Sequence, residues 1–431
     1  MRILVVSYTF EPVISPRAFR WGAIVRQWLA AGHEVDVVTA RVDGAPDLEE
    51  QGPLTIHRCG FARRSTGATQ KGSGRSASSG GSVGSTLKRA TIPIQSIVAK
   101  GWRSLRWPDY ASAWYLPACR QTLQLTGDTN YDAMVTVSHP FTSHLVGLRV
   151  HRRCALPWIV DIGDPFSFST EMPLNNVRLY RPFNLAAERR VFSRASKVVV
   201  TNDRTREIYA KTFPGVSIDR ISTIGPMIDV SAIEQIRSES PWSDDGDVVR
   251  LVFAGNLFNP VRRPGEFLAW MQKVSLAWQQ QQGRPALHWH LFGDNPQSLE
   301  SVSPELPGED RFHFHGRVKR DEVATYLQHA DVLLNCGNTT DYQLASKIVE
   351  YMALSKPIIN VTFNRNDPVI GTLSGYPRHI NAWWDDEPGN DVLEFIDRSV
   401  RTRERFQTVD SSLVASYGAA AIAGAYERLI A

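Results

Sequence analysis

The sequence predicts an α/β protein built as two doubly wound, Rossmann-like domains that face each other across a cleft. Three observations carry this. The chain has 431 residues, which fits two domains at roughly 100–200 residues each. Short apolar runs alternate with segments of helical period, the pattern of a parallel sheet covered by helices. The alternation halts at the polar stretch Ser238–Asp247 and then restarts.

The elements follow in order. Ile3–Ser7 reads as a buried strand. Ser15 caps a helix with Pro16 at its first position and with Trp21, Ile24, Val25 and Trp28 at spacings of three and four. Gly32 ends that helix, and Glu34–Thr39 is the next strand. Further strands are expected at Leu54–Cys59, Ala133–Ser138, Trp158–Ile162 and Lys197–Thr201. The second half repeats the scheme with strands at Val249–Phe253, Leu287–Phe292, Arg311–His315, Asp331–Asn335 and Pro357–Val361. Its helices are expected at Gly265–Gln280, Arg320–His329 and Leu344–Leu354. Ser412–Leu429 reads as one last helix. The expected domains are therefore residues 1–237 and 248–408, with residues 409–431 packing back on the first.

An apolar fraction of 42% supports real cores and excludes a disordered chain. Runs of about 18 uninterrupted apolar residues, which a membrane-spanning helix needs, are absent. Met1–Ser7 is too short an apolar stretch for a signal peptide. Cys59, Cys119, Cys154 and Cys336 are far apart in sequence, which suits a reduced cytoplasm and neither a disulfide framework nor a zinc knuckle. The net charge is +4, but Gln51–Pro108 holds ten Lys and Arg residues and no acid, so the rest of the chain is net negative. Within it, residues 64–90 read as a flexible basic loop rich in Ser and Gly. Gly72-Ser73-Gly74 in that loop lacks the strand and helix that a dinucleotide site requires. Residues 94–107 carry Ile94, Ile97, Val98, Trp102, Leu105 and Trp107 among Lys100, Arg103 and Arg106. That pattern fits a helix lying on an anionic membrane and equally a core helix with solvated cations. Nucleic acid is not an expected partner, because the remainder is acidic.

The most informative stretch for chemistry is Leu344–Pro357. As a helix from Leu344 it places Ile348, Val349 and Met352 on one face and Lys347, Glu350 and Tyr351 on the other. Its N-terminus would offer backbone N–H groups to an anion, with Lys347 beside them. Glu350 would accept hydrogen bonds from sugar hydroxyls. Helical geometry alone makes Lys347 and Glu350 an ordinary i,i+3 surface pair. In the first half, Asp161-Ile162-Gly163-Asp164-Pro165 ends a strand, and Asp164 is a candidate polar contact where an acidic turn before Pro165 is equally expected. His139 is a weaker candidate. His288/His290 and His313/His315 each share one strand face, but no Cys or carboxylate pattern accompanies them, and they are taken as structural.

Ser346-Lys347-x-x-Glu350-Tyr351-Met352-Ala353-x-x-Lys356-Pro357 resembles the donor-site helix of family 4 of the retaining, GT-B-fold glycosyltransferases, of the bacterial polysaccharide type. Gly316-Arg317-Val318-x-x-x-Glu322 and Ala330–Leu334 resemble that family's approach to the same site. Pro12-x-x-x-Pro16-Arg17, followed by Gly32-His33-Glu34-Val35, resembles its first strand–helix–strand unit. The likeness covers most of the chain outside the Ser/Gly loop.

The resemblance implies a nucleotide-sugar donor, a saccharide or lipid-linked acceptor, and no cofactor or metal. It gives Glu350 the ribose, Gly255 the close approach to the diphosphate, and Arg262 with Lys347 the departing charge. Arg263 is an equal candidate to Arg262. Val318 falls where the backbone meets the base, and Asn256, Leu344, Ala345 and Ser346 complete the donor side. Asp164 is counted with Arg262 and Lys347 as catalytic, while Ser15, Arg17 and His139 fall on the acceptor side. Where the family often has a second acid, eight positions before the ribose-binding one, this chain has Tyr342. Asp341, or the amides of Gln343–Ala345, would then meet the sugar. The implied reaction is transfer with retention, in cell-surface polysaccharide synthesis, at a cytoplasmic site that includes the membrane face. A nucleotide-sugar epimerase of the same fold and a non-catalytic partner in a polysaccharide-assembly complex are the alternatives.

Overall fold

The computed structural model describes residues 1–63, 106–228, 230–237, 239–242, 247–258, 260–281, 283–294, 296–402 and 410–431. The expected basic loop, 64–90, and all of the expected amphipathic helix except residues 106 and 107 lie outside the described residues. By contacts the chain divides into two compact units, Met1–Lys197 and Val198–Ala431.

The first sheet contains β1 (Arg2–Ser7), β2 (Glu34–Val42), β3 (Leu48–Gln51), β4 (Leu54–Arg63), β5 (Ala133–Val137), β6 (Trp158–Asp161), β7 (Lys197–Val200) and β8 (Ile221–Thr223). Their order is β3-β4-β2-β1-β5-β6-β7-β8. Pairing is parallel between β1 and both β2 and β5, whereas β3 runs antiparallel to β4. Ile3, Leu4, Val5 and Val6 are fully buried, as expected for a strand covered on both faces. The helix Pro16–Ala30 starts as its sequence predicts: Ser15 Oγ accepts from the Ala18 N–H at 3.1 Å, and Trp21, Ile24, Val25 and Trp28 face inward.

The second sheet contains β9 (Val248–Ala254), β10 (Ala286–Phe292), β11 (Arg311–Gly316), β12 (Val332–Cys336), β13 (Ile358–Thr362) and β14 (His379–Trp383), in the order β11-β10-β9-β12-β13-β14. Strict alternation divides its side chains between two cores. Val249, Leu251 and Phe253 of β9 pack with Leu287, Trp289 and Leu291 of β10 beneath the helices Pro264–Gln279 and Asn390–Arg401. Val252, Ala254 and Phe292 join Leu327, Ile348, Val349, Tyr351 and Met352 on the other face. In each sheet the order reverses beside the first strand, at β1/β5 and at β9/β12. Loops leaving such switch points are where open α/β sheets hold ligands.

Three expectations need correction. The helix after β12 is only Ile348–Ala353, because the stretch before it is tied down elsewhere. Asn338 Nδ2 donates to the Gln343 carbonyl at 2.9 Å, and the Tyr342 carbonyl accepts from Asn202 and Thr205. Tyr351 does not share the outer face with Lys347 and Glu350; it is buried in the core. The C-terminal helix is two, Ser411–Tyr417 and Ala419–Ile430, broken at Gly418, where a Cβ would come within 2.8 Å of the Val414 carbonyl. No described helix is long and apolar enough to cross a membrane.

Candidate active site

In the second unit the site is built from the loops that leave β9, β10, β11 and β12. Gly255 N–H donates to the Phe292 carbonyl and Gly293 N–H to the Gly316 carbonyl, both at 2.9 Å, so three neighbouring strand ends are laced by glycines. A Cβ at Gly293 would lie 2.1 Å from the Gly255 carbonyl oxygen, and one at Gly255 would lie 2.9 Å from the Arg262 guanidinium. At Gly293 only glycine lets the two backbones come so close, whereas at Gly255 it leaves room for the Arg262 guanidinium. Tyr351 fixes the same corner: its hydroxyl accepts from the Ala254 N–H at 3.0 Å.

Arg262 spans the switch point. Its Nη1 donates to the Asn256 carbonyl at 3.0 Å and its Nε to Asn338 Oδ1 at 3.3 Å, while the guanidinium lies 5.7 Å from the Phe253 ring centre. Asn256 Oδ1 accepts from the Asp294 N–H, and Asp294 in turn holds Arg317 through two bonds of 2.7 and 2.8 Å. Arg263 turns away; it stands 3.7 Å from Glu266 and 5.9 Å from the Trp384 ring.

Glu350 gathers the charges. Arg320 Nη2 is 3.1 Å from its Oε1 and Lys347 Nζ is 3.9 Å from its Oε2. The Glu350 side chain is 18% exposed and the Lys347 side chain 38%, so both can be reached by a solute. Desolvation by the surrounding protein pulls the Lys347 ammonium below the ordinary lysine range even though part of the chain is exposed. Glu350 opposes that shift; Arg320 and Arg262 are close enough to reinforce it. Two cations thus share one carboxylate, and Arg262 adds a third charge felt at Lys347, leaving local positive charge for a polyanion. Behind them Asp367 is buried, and desolvation raises its carboxyl pKa to about 7 despite the Val369 N–H and the Arg262 charge.

The other donor-side candidates fall around this cluster. Val318 packs partly against the core, Leu344 does likewise, and Ala345 is buried with its carbonyl accepting from the Ile348 N–H. Ser346 is exposed. Asp341 instead pairs with Arg204 at 3.2 Å, and Tyr342 is buried. Residue-by-residue reading passed over Arg320, which lies in the unassigned part of the Gly316–Glu322 string, and Asn338, whose type gives no signal outside its fold.

In the first unit a separate group forms at the ends of β5 and β6. His139 Nε2 is 3.2 Å from Asp164 Oδ2. Arg17 is 3.7 Å from the buried Asp161, which also accepts from Trp21 Nε1 at 3.0 Å. Asp161 therefore acts as an internal anchor. Gly163 makes room for Arg17, whose guanidinium would overlap any Cβ there. Glu188 holds the following turn by accepting from the Phe166 and Ser167 N–H groups. The Ser15 oxygen is engaged in capping its helix.

Comparison with known proteins decides the family. Residues 18–226 match a glycosyl transferase 4-like domain and residues 249–372 match glycosyl transferases group 1, together most of the chain. The chain belongs to family 4 of the GT-B-fold glycosyltransferases. No curated protein matches this glycosyltransferase by sequence. Among solved structures it resembles sucrose-phosphate synthase from Thermosynechococcus elongatus, at 15% identity and a TM-score of 0.61, covering 99% of this chain and 98% of that one. A UDP-forming α,α-trehalose-phosphate synthase from Burkholderia xenovorans aligns at 13% identity and TM-score 0.62, covering 100% and 98%. A trehalose-6-phosphate protein from E. coli, bound with UDP-2-fluoro glucose, aligns at 10% and 0.61, covering 100% and 99%. At these identities the likeness is one of fold.

Proposed function

We propose that this glycosyltransferase moves a hexosyl group from a nucleotide-diphosphate sugar to a saccharide or lipid-linked saccharide, with retention of configuration, in cell-surface polysaccharide synthesis. The observation that carries the reading is the pairing of Lys347 and Arg320 with Glu350, with the Arg262 charge felt at Lys347, beside the glycine-laced strand ends. Its charge suits a diphosphate, and Glu350 suits ribose hydroxyls. Two structural neighbours are described with UDP, which makes UDP-sugars the first donors to test.

In the front-face reaction we propose, the bond from the anomeric carbon to the diphosphate oxygen breaks as the acceptor oxygen bonds to the same face. The acceptor proton passes to the departing phosphate oxygen. No protein base is then needed, and the work falls on stabilising charge that develops on the leaving group. Arg262 and Lys347 do this; Val318, Asn256 and the Leu344–Ser346 turn hold the donor, and His139 with Asp164 serves the acceptor. Asp341, restrained by Arg204, or the amides beside it would meet the sugar. Peripheral contact with an anionic membrane is assigned to residues 94–107 on their sequence. Donor screening with UDP-, GDP- and ADP-sugars, followed by product analysis with and without acceptor, tests the reading. Conversion of donor alone into an isomeric sugar nucleotide would return it to an epimerase.

A further inference from the structure

Histidines occupy alternate positions on two adjacent strands. His288 and His290 stand on β10, His313 and His315 on β11, and the parallel register sets His290 beside His313. Alternation therefore puts all four rings on one face, with the His290 and His313 rings stacked at 4.4 Å. One ring nitrogen from each of His288, His290 and His313 lies within 4.8 Å of the others. His288 Nδ1 and His313 Nε2 are 3.3 Å apart. Two nitrogens bound tetrahedrally at about 2.0–2.1 Å from a zinc ion stand roughly 3.3–3.4 Å apart, so this pair already has the required spacing. His290 differs. Its Nδ1 is 2.9 Å from His315 Nε2, a hydrogen-bond distance, and its buried Nε2 has no hydrogen-bond partner among the described residues. His315 thus does for His290 what outer partners do for metal-bound imidazoles: it fixes the ring and leaves one nitrogen for the ion.

We propose that His288, His290 and His313 form a site for a borderline divalent transition-metal ion of the zinc type, with His315 as the positioning residue. An all-imidazole donor set selects zinc, cobalt, nickel or copper over magnesium and calcium. The metal would clamp edge strand β11 to β10 directly before the loop that carries Arg317 and Val318 and leads into the helix that starts at Arg320. It takes no part in the transfer, and the proposal stands or falls separately from the donor site.

The test uses the untagged full chain, stripped with chelator and titrated with cobalt(II), then zinc. One equivalent of cobalt should give the visible d–d band of a tetrahedral site, and zinc should displace it. Zinc at about a hundredfold over its Kd should raise Tm by roughly 5 °C. His288→Gln and His313→Gln should each weaken binding at least tenfold, and His315→Gln by about 10–100-fold. His379→Gln, on β14, should leave it unchanged. Because the cobalt titration needs no variant, a misfolded substitution cannot mask the result. No tetrahedral band together with no zinc-dependent Tm change would overturn the proposal. An undiminished band in His288→Gln/His313→Gln, with wild-type circular dichroism, would overturn it too.

Discussion

Lys347 shows how little a single residue type conveys before its surroundings are known. Spacing alone makes it the partner of Glu350, and the pair exists, at 3.9 Å. Arg320 and Arg262 change its meaning, since a lysine repelled by two arginines gains by meeting an anion. Lys347→Ala is expected to lower kcat/KM by about 10²–10³, the range for lost stabilisation of developing negative charge. A change under about twofold would return Lys347 to an ordinary surface pair. Asp341→Asn tests a finer point. If Asp341 meets the sugar, donor KM rises; unchanged donor kinetics would leave the contact to backbone amides. Neither Arg320 nor Asn338 could have been picked out from sequence, because their roles depend on which strand ends become neighbours. The choice between Arg262 and Arg263 was closed to sequence for the same reason; in the structure Arg262 bonds Asn256 and Asn338, whereas Arg263 stands beside Glu266.

At the scale of elements, the buried parallel strands were legible because both faces must be apolar. Val249–Phe253 and Leu287–Phe292 lie within β9 and β10. β3, β8 and β14 were missed for a physical reason. β3 is the polar run Leu48–Gln51 on an edge, β8 has three residues, and β14 is a partly exposed edge strand. The late start of the Ile348–Ala353 helix was equally hidden, since bonds from Asn202, Thr205 and Asn338 hold the preceding residues out of it. The glycine lacing gives a direct prediction. Gly293→Ala should cost about 1–3 kcal/mol in urea unfolding, as forced overpacking does, and a loss below about 0.5 kcal/mol would contradict the close approach. Asp367, which caps the helix Pro368–Leu373, gives another. Its folded pKa, about 7, exceeds its ordinary value of 3.8, so the folded state binds the proton more tightly. That contribution is full below the ordinary value and is lost as pH rises through about 7. Between pH 5 and 8 Tm should therefore fall more in the wild type than in Asp367→Asn, which keeps the cap. Equal slopes would show that Asp367 ionises normally.

For the whole molecule, the two-sheet α/β plan was legible from the rhythm of apolar runs, and motif order pointed to the family that the comparisons establish. The charge division was legible too, although most of the basic segment falls outside the described residues. Liposome flotation of the full chain against one lacking residues 64–107 tests its assignment to the membrane. Loss of binding to anionic vesicles is expected, and equal binding would contradict it. The central claim is that the cation cluster in the second unit receives a nucleoside diphosphate. Calorimetric titration of the wild type and of Arg262→Ala with UDP, GDP and ADP tests it most directly. One of the three should bind the wild type, with Kd raised at least tenfold in the variant. Binding of none, or equal binding by both proteins, would contradict the account.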